Sequence, residues 1–89
     1  MRAIFMEEGT RTFRVRYPYS RKAVTLLSAL IPYNQRKNAF DAASASWTLP
    51  IEYWDEVLAV MEQVYPDIRL HVVDELPPFE PYDPNKEDL

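Results

Sequence analysis

The sequence predicts an α+β domain: a small, mainly antiparallel sheet in the order ββαββαβ, with two helices packed on it. Three observations predict this. Residues 11–17 alternate apolar and polar with period two, as a half-buried strand does. Segments 21–30 and 51–65 instead carry apolar residues at helical spacing. Between them, Phe40-Asp41 and Trp47-Thr48-Leu49-Pro50 place an aromatic on each of two short extended segments around a turn of small residues.

Residues 2–6 are short and apolar and read as the first strand. Glu7, Glu8, Gly9 and Thr10 form a turn. Gly9, the single glycine, is expected there for its freedom to take a positive φ. In residues 11–17, Phe13, Val15 and Tyr17 share one side and Thr12, Arg14 and Arg16 the other. That strand has one basic face and closes an N-terminal hairpin.

Pro18 breaks the strand, and Ser20 is the candidate cap of the first helix. Ala23, Val24, Leu27, Leu30 and Ile31 give that helix its apolar stripe, and Pro32 ends it. Residues 33–38 are polar and read as a loop. Residues 38–41 and 46–49 read as two short strands around Ala42, Ala43, Ser44 and Ala45.

Pro50 suits the first position of the second helix. Ile51, Trp54, Val57, Leu58, Met61, Val64 and Tyr65 form its stripe, and Glu52, Asp55, Glu56 and Glu62 cover the rest. The early acids complement the helix dipole. After Pro66 and Asp67, residues 68–73 alternate as the last strand. Residues 1–73 are expected to be one compact domain. Residues 74–89, with four prolines and six acids, read as an acidic tail or linker without a core of its own, which Leu76, Phe79 and Tyr82 can pin to the domain or to a partner.

Eighty-nine residues suit a single domain with one thin core. The absence of cysteine rules out a disulfide scaffold and a thiolate zinc site, and fits a reducing compartment. No apolar run approaches a membrane span, and the first residues lack the pattern of a secretory signal. The expectation is a cytoplasmic protein that makes no membrane contact.

The chemistry of the chain excludes more than it suggests. One histidine, His71, cannot assemble a metal site alone. No serine lies in a G-x-S-x-G elbow. One glycine cannot build a phosphate-binding loop. Glu52 and Glu56 lie on one exposed helix face, not in two environments of a cleft, as acid–base work requires. The expectation is no catalysis, no metal and no cofactor.

Charge is more informative. The net charge is −4, but residues 1–50 hold eight basic side chains against three carboxylates, and residues 51–89 hold two against eleven. That asymmetry places a basic region beside an acidic one. Arg11, Arg14 and Arg16 on one strand face can track phosphates. Arg21 and Lys22 open a helix, where free backbone N–H groups also favour phosphate. Arg36 and Lys37 form a third cluster, bordered by Tyr33 and Asn38; Tyr33 or Trp47, if exposed, can stack on an unpaired base. Trp47 and Trp54 are expected in the core.

The features FRVRY (13–17), a helix ending in LIP (30–32), Arg36, Phe40-Asp41 and Trp47-Thr48-Leu49-Pro50 before a second helix occur in an order similar to that of the HARP-type domain. The likeness extends to its relative at the N-terminus of phage recombination helicases and covers about residues 12–65. Two features depart from that pattern. Lys37-Asn38-Ala39 separates Arg36 from Phe40, and the turn before Trp47 is rich in alanine where the family carries charge.

The resemblance implies a non-catalytic accessory module for branched or single-stranded DNA, serving recombination and repair beside a helicase motor. It implies a stand-alone, phage-encoded relative or one domain of a longer helicase. It also implies that Arg36 and Lys37 lie nearest the DNA surface, and that Phe40, Trp47 and Trp54 are structural. The alternative is a protein-interaction module or small inhibitor acting through the acidic residues 51–89.

Overall fold

The computed structural model describes residues 3–78. Within them lies a five-stranded sheet with helices packed on it, as the α+β reading predicts. The strands are β1 (Ile4–Glu7), β2 (Thr12–Arg16), β3 (Phe40–Asp41), β4 (Ser46–Pro50) and β5 (Leu70–Val73), in the spatial order β3-β4-β2-β1-β5. Three of the four pairings are antiparallel; β1 and β5 are parallel, so the sheet is mixed. Parallel strands need a long crossover. The first strand therefore sits inside the sheet, between β2 and the last strand.

Helix α1 (Arg21–Leu30) starts where the sequence predicts: the Ser20 side chain accepts the Ala23 N–H at 3.4 Å. Its Ala23 and Leu27, four residues apart, are buried. In α3 (Trp54–Val64), Val57 and Met61 repeat that spacing. The two helices touch each other on one face of the sheet. Between them and the strands lies the core of Ile4, Met6, Phe13, Val15, Leu49 and their neighbours. Trp54 meets Phe13 edge-on at 5.2 Å. Both tryptophans are half-buried against this core.

Three expectations are corrected. Residues 33–36 are not loop: α2 (Tyr33–Arg36) makes one helical turn. Pro50 does not open a helix; it ends β4 and precedes a 3-10 turn, Ile51–Tyr53, that leads into α3. Gly9 takes no positive φ. Instead its backbone lies so near Thr12 that a β-carbon would sit 2.3 Å from the Thr12 carbonyl oxygen. Close approach, not φ, requires glycine there. The pinning expected of Leu76 is seen: it is buried on the domain and its N–H donates to Glu7 at 2.7 Å. Phe79 and Tyr82 lie outside the described residues.

Candidate nucleic-acid interface

The strand alternation read in residues 11–17 places Phe13, Val15 and Tyr17 under the helices and Thr12, Arg14 and Arg16 on the opposite face. That opposite face is not an open basic strip. Arg14 makes a two-pronged ion pair with Glu7, Nε to Oε1 at 2.8 Å and Nη2 to Oε2 at 2.7 Å. The Arg14 hydrogen bond holds the Glu7 carboxyl below its usual pKa, and Glu7 in turn raises that of Arg14.

Arg16 is only 8% exposed. Its Nε and Nη2 donate to the Ser44 carbonyl at 3.0 and 2.8 Å, and Nη1 donates to the Pro77 carbonyl at 2.7 Å. It ties the turn after β3 to the segment after β5. Burial, and second the charge of Arg14, pull its pKa down. The reading of Arg16 as a surface phosphate contact is therefore corrected: the side chain is structural. Beside it in the same cross-strand row, Phe5 stacks on His71 with centroids 5.2 Å apart.

The helix side differs. β3 is a two-residue edge strand, and Phe40 on it is 50% exposed. Its ring meets Trp47 at 5.2 Å, tilted by 59°. Tyr17, Tyr19, Val24, Phe40, Ala45 and Trp47 line a hollow of about 390 Å³. Tyr33, Arg36, Lys37 and Asn38 join Phe40 and Trp47 around a second, of about 350 Å³. A narrower one of about 70 Å³ reaches between α1 and β4 and is lined by Tyr17, Trp47 and Arg36 among others. All three share Trp47 as a lining residue, and the two larger hollows, which also share Phe40, make up an aromatic groove.

Local chemistry fixes both ends of this groove. At one end, Arg36 Nε donates to the Ile31 carbonyl at 2.8 Å, a group that α1 leaves free at its C-terminus. The guanidinium carbon lies 5.5 Å from the centre of the Tyr33 ring. Its other N–H groups have no partner among the described residues. Gln35 accepts the Tyr53 hydroxyl at 2.6 Å, fastening α2 to the start of α3. Asn38, at φ 62, turns the chain into β3; asparagine tolerates that conformation.

At the other end, Asp41 closes the β3–β4 turn by accepting the Ala43 N–H at 3.0 Å and the Ser44 hydroxyl at 2.9 Å. The Ser44 hydroxyl first, then the Ala43 N–H, lower the Asp41 pKa. Ala45 completes the turn at φ 50.

The eight basic and aromatic residues read from the sequence are thus divided. Tyr33, Arg36 and Lys37 line the groove. Arg21 and Lys22 are exposed at the start of α1, one turn before the groove residue Val24. Arg11 is exposed at the far end of β2, where its carbonyl accepts the Ile51 N–H. Arg14 and Arg16 lie on the opposite face.

Sequence reasoning missed Tyr17, Tyr19 and Phe40 as groove residues. The sequence signal was the pair of tyrosines around Pro18, together with an aromatic on a strand too short for a helix to cover. Among the described residues no group of three or more His, Asp or Glu side chains converges as metal ligands, and no helix is long and apolar enough to cross a membrane. No protein-family model, curated protein or solved structure matches this chain.

Proposed function

We propose that the domain is a non-catalytic module that binds single-stranded or branched DNA through this groove, as an accessory to DNA recombination or repair. The observation that carries the reading is the half-exposed Phe40 ring against Trp47, with Arg36 and Lys37 on the same rim. Exposed aromatic surface stacks on unpaired bases, and cations beside it hold the backbone. Each stacked base contributes about 1–3 kcal/mol in such sites. Arg21 and Lys22 extend the positive charge past the other end of the groove. Arg11, Arg14 and Arg16 take no part.

The test is fluorescence anisotropy with forked, single-stranded and duplex DNA at low and moderate salt, for the wild type and Arg36→Ala/Lys37→Ala. Affinity is expected to fall with salt and to favour strands with unpaired bases. For single strands, the double variant should lower the salt slope by about 0.7 for each phosphate it no longer neutralises. A folded protein with no DNA binding in the micromolar range sinks the reading. The exposed acids Glu52, Asp55, Glu56 and Glu62 then become the surface to test against a basic protein partner.

A further inference from the structure

The sheet ends differently at its two edges. At one, β3 is only two residues long; at the other, β5 runs from Leu70 to Val73 with no strand beyond it among the described residues. The N–H groups of Ile4 and Glu8, in and just after β1, take the carbonyls of Arg69 and Val73 at 3.1 and 3.3 Å. Backbone groups alternate in direction along a strand. Leu70 and Val72 therefore turn their N–H and C=O groups away from β1. The segment after β5 does not cover them: it crosses the sheet to Glu7 through the Leu76 N–H and to Arg16 through the Pro77 carbonyl. Edge strands are ordinarily guarded by proline, lysine, a bulge or a covering element. Residues 69–73 contain neither proline nor lysine, and the pairing with β1 runs unbroken from Ile4 and Leu70 to Glu7 and Val73.

The side chains along this edge are apolar in the middle and oppositely charged at the ends. Leu70 and Val72 pair with the core residues Ile4 and Met6 and share their face of the sheet. Val72 is nevertheless 55% exposed. Two residues back on the same face, Leu70 joins Met61, Tyr65 and Ile68 around a hollow of about 350 Å³. Arg69 is exposed before the strand, and Asp74 and Glu75 are exposed after it. Arg69 makes no ion pair among the described residues. Such a strand is its own complement. Turned end for end, its basic end meets its acidic end, and Leu70 meets Val72.

We propose that β5 is a self-association surface whose partner is a second copy of this chain: two β5 strands pair antiparallel about a two-fold axis at His71 and join the two sheets into one. A two-fold interface uses the same patch on both subunits. In this register Leu70 and Val72 of one copy exchange N–H···O=C bonds with Val72 and Leu70 of the other, and every outward backbone group of the strand is used. Val72 of each copy comes to lie beside Leu70 at the rim of the other's hollow. Arg69 lies diagonally across from the second copy's Glu75, on the same face and within reach of a long side chain. Parallel pairing in register would instead set Arg69 against Arg69 and acids against acids. The aromatic groove lies at the opposite edge, where β3 and β4 are, so pairing leaves it open. The proposal stands whether or not that groove binds DNA.

Sedimentation velocity from micromolar to millimolar concentration tests it, and the wild type should dimerise reversibly within that range. Val72→Pro removes an N–H that β1 does not use, which an edge strand tolerates, and circular dichroism checks that the fold is kept. Each copy loses a hydrogen bond across the axis, so the dimer dissociation constant should rise roughly tenfold or more. The chain has no cysteine, so one introduced at the axis reports the register. His71→Cys puts the two new side chains on facing positions with Cα atoms about 4.5 Å apart, a separation that a disulfide spans. Mild oxidation should give a covalent dimer. Arg69→Cys, whose facing position is Val73, should cross-link far more slowly. That contrast decides by itself if Val72→Pro fails to fold. A wild type that stays monomeric into the millimolar range, a folded Val72→Pro that associates as tightly as the wild type, or cross-linking of Arg69→Cys as fast as His71→Cys each overturns the proposal.

Discussion

Arg16 on the open face of the sheet and Arg36 at the β3–β4 edge differ in what they hold. Arg16 gives three hydrogen bonds to the carbonyls of Ser44 and Pro77 and is almost wholly buried. Arg36 spends one on the Ile31 carbonyl and lies over the Tyr33 ring, and its other N–H groups make no hydrogen bond among the described residues. Arg14, beside Arg16, is committed to Glu7; Lys37, beside Arg36, is exposed and makes no ion pair among the described residues. Density of positive charge along a strand therefore does not locate a binding surface. What separates the two regions is whether the fold has already used the donors.

Substitutions can break this contrast, and the largest effect belongs to Arg16. Arg16→Ala removes three charge-assisted bonds and strands two carbonyls, so we expect a loss of about 3–5 kcal/mol in urea unfolding. Faster hydrogen exchange at the Leu76 amide should accompany it. An unchanged stability would mean that the turn and the 74–78 segment are held by other means.

Phe40→Ala should act in the opposite sense. Affinity for single-stranded DNA should fall by about 1–3 kcal/mol, while stability changes by less than about 1 kcal/mol because the ring is half-exposed. A large stability loss with intact binding would return Phe40 to a structural role.

Ala45→Gly sharpens the comparison by relaxing the turn that both regions share. Alanine at φ 50 carries about 1–2 kcal/mol of strain. Glycine's extra freedom in the unfolded chain offsets part of that gain, leaving about 0.5–1 kcal/mol of stabilisation by thermal melting.

The smallest effect is a pH dependence. The folded pKa of Glu7 lies below its ordinary value of 4.5, chiefly through the Arg14 hydrogen bond. Its contribution is fully present above the unfolded pKa and is lost as pH falls through the folded value. The melting temperature should drop as the pH is lowered from about 4.5 through the folded value, and less steeply in Glu7→Gln. An identical acid limb in the variant would remove the Glu7–Arg14 pair from the account.

Much of the fold was legible because local chemistry agreed with it. Ser20 is a cap with the right spacing, Phe13 and Val15 alternate toward the core, and Val57 and Met61 repeat every turn. The short helix at residues 33–36 was not legible: its four polar and aromatic residues have no apolar stripe, and the bonds that hold it run to Ile31 and Tyr53. Of the candidate site, the Tyr33, Arg36 and Lys37 cluster could be read from composition. The fates of Arg14 and Arg16 could not, since Glu7 and Pro77 reach them only through strand pairing and the return of the chain after β5. Phe40 was hidden for a related reason. Whether an edge aromatic is covered depends on where a neighbouring helix stops.

The interior position of β1, between β2 and β5, carries a consequence for how the domain is made. Ile4 pairs with Leu70, and Glu7 with Val73. A ribosome delivers β1 and β2 at once as a hairpin, but the second neighbour of β1 emerges only when nearly the whole domain has been translated. At cellular synthesis rates that interval lasts seconds, during which one side of β1 stays bare and able to pair with another nascent chain. The final bonds, from Arg16 to Pro77 and from Leu76 to Glu7, form last. A chain cut before residue 73 should therefore be aggregation-prone during synthesis, not merely less stable afterwards.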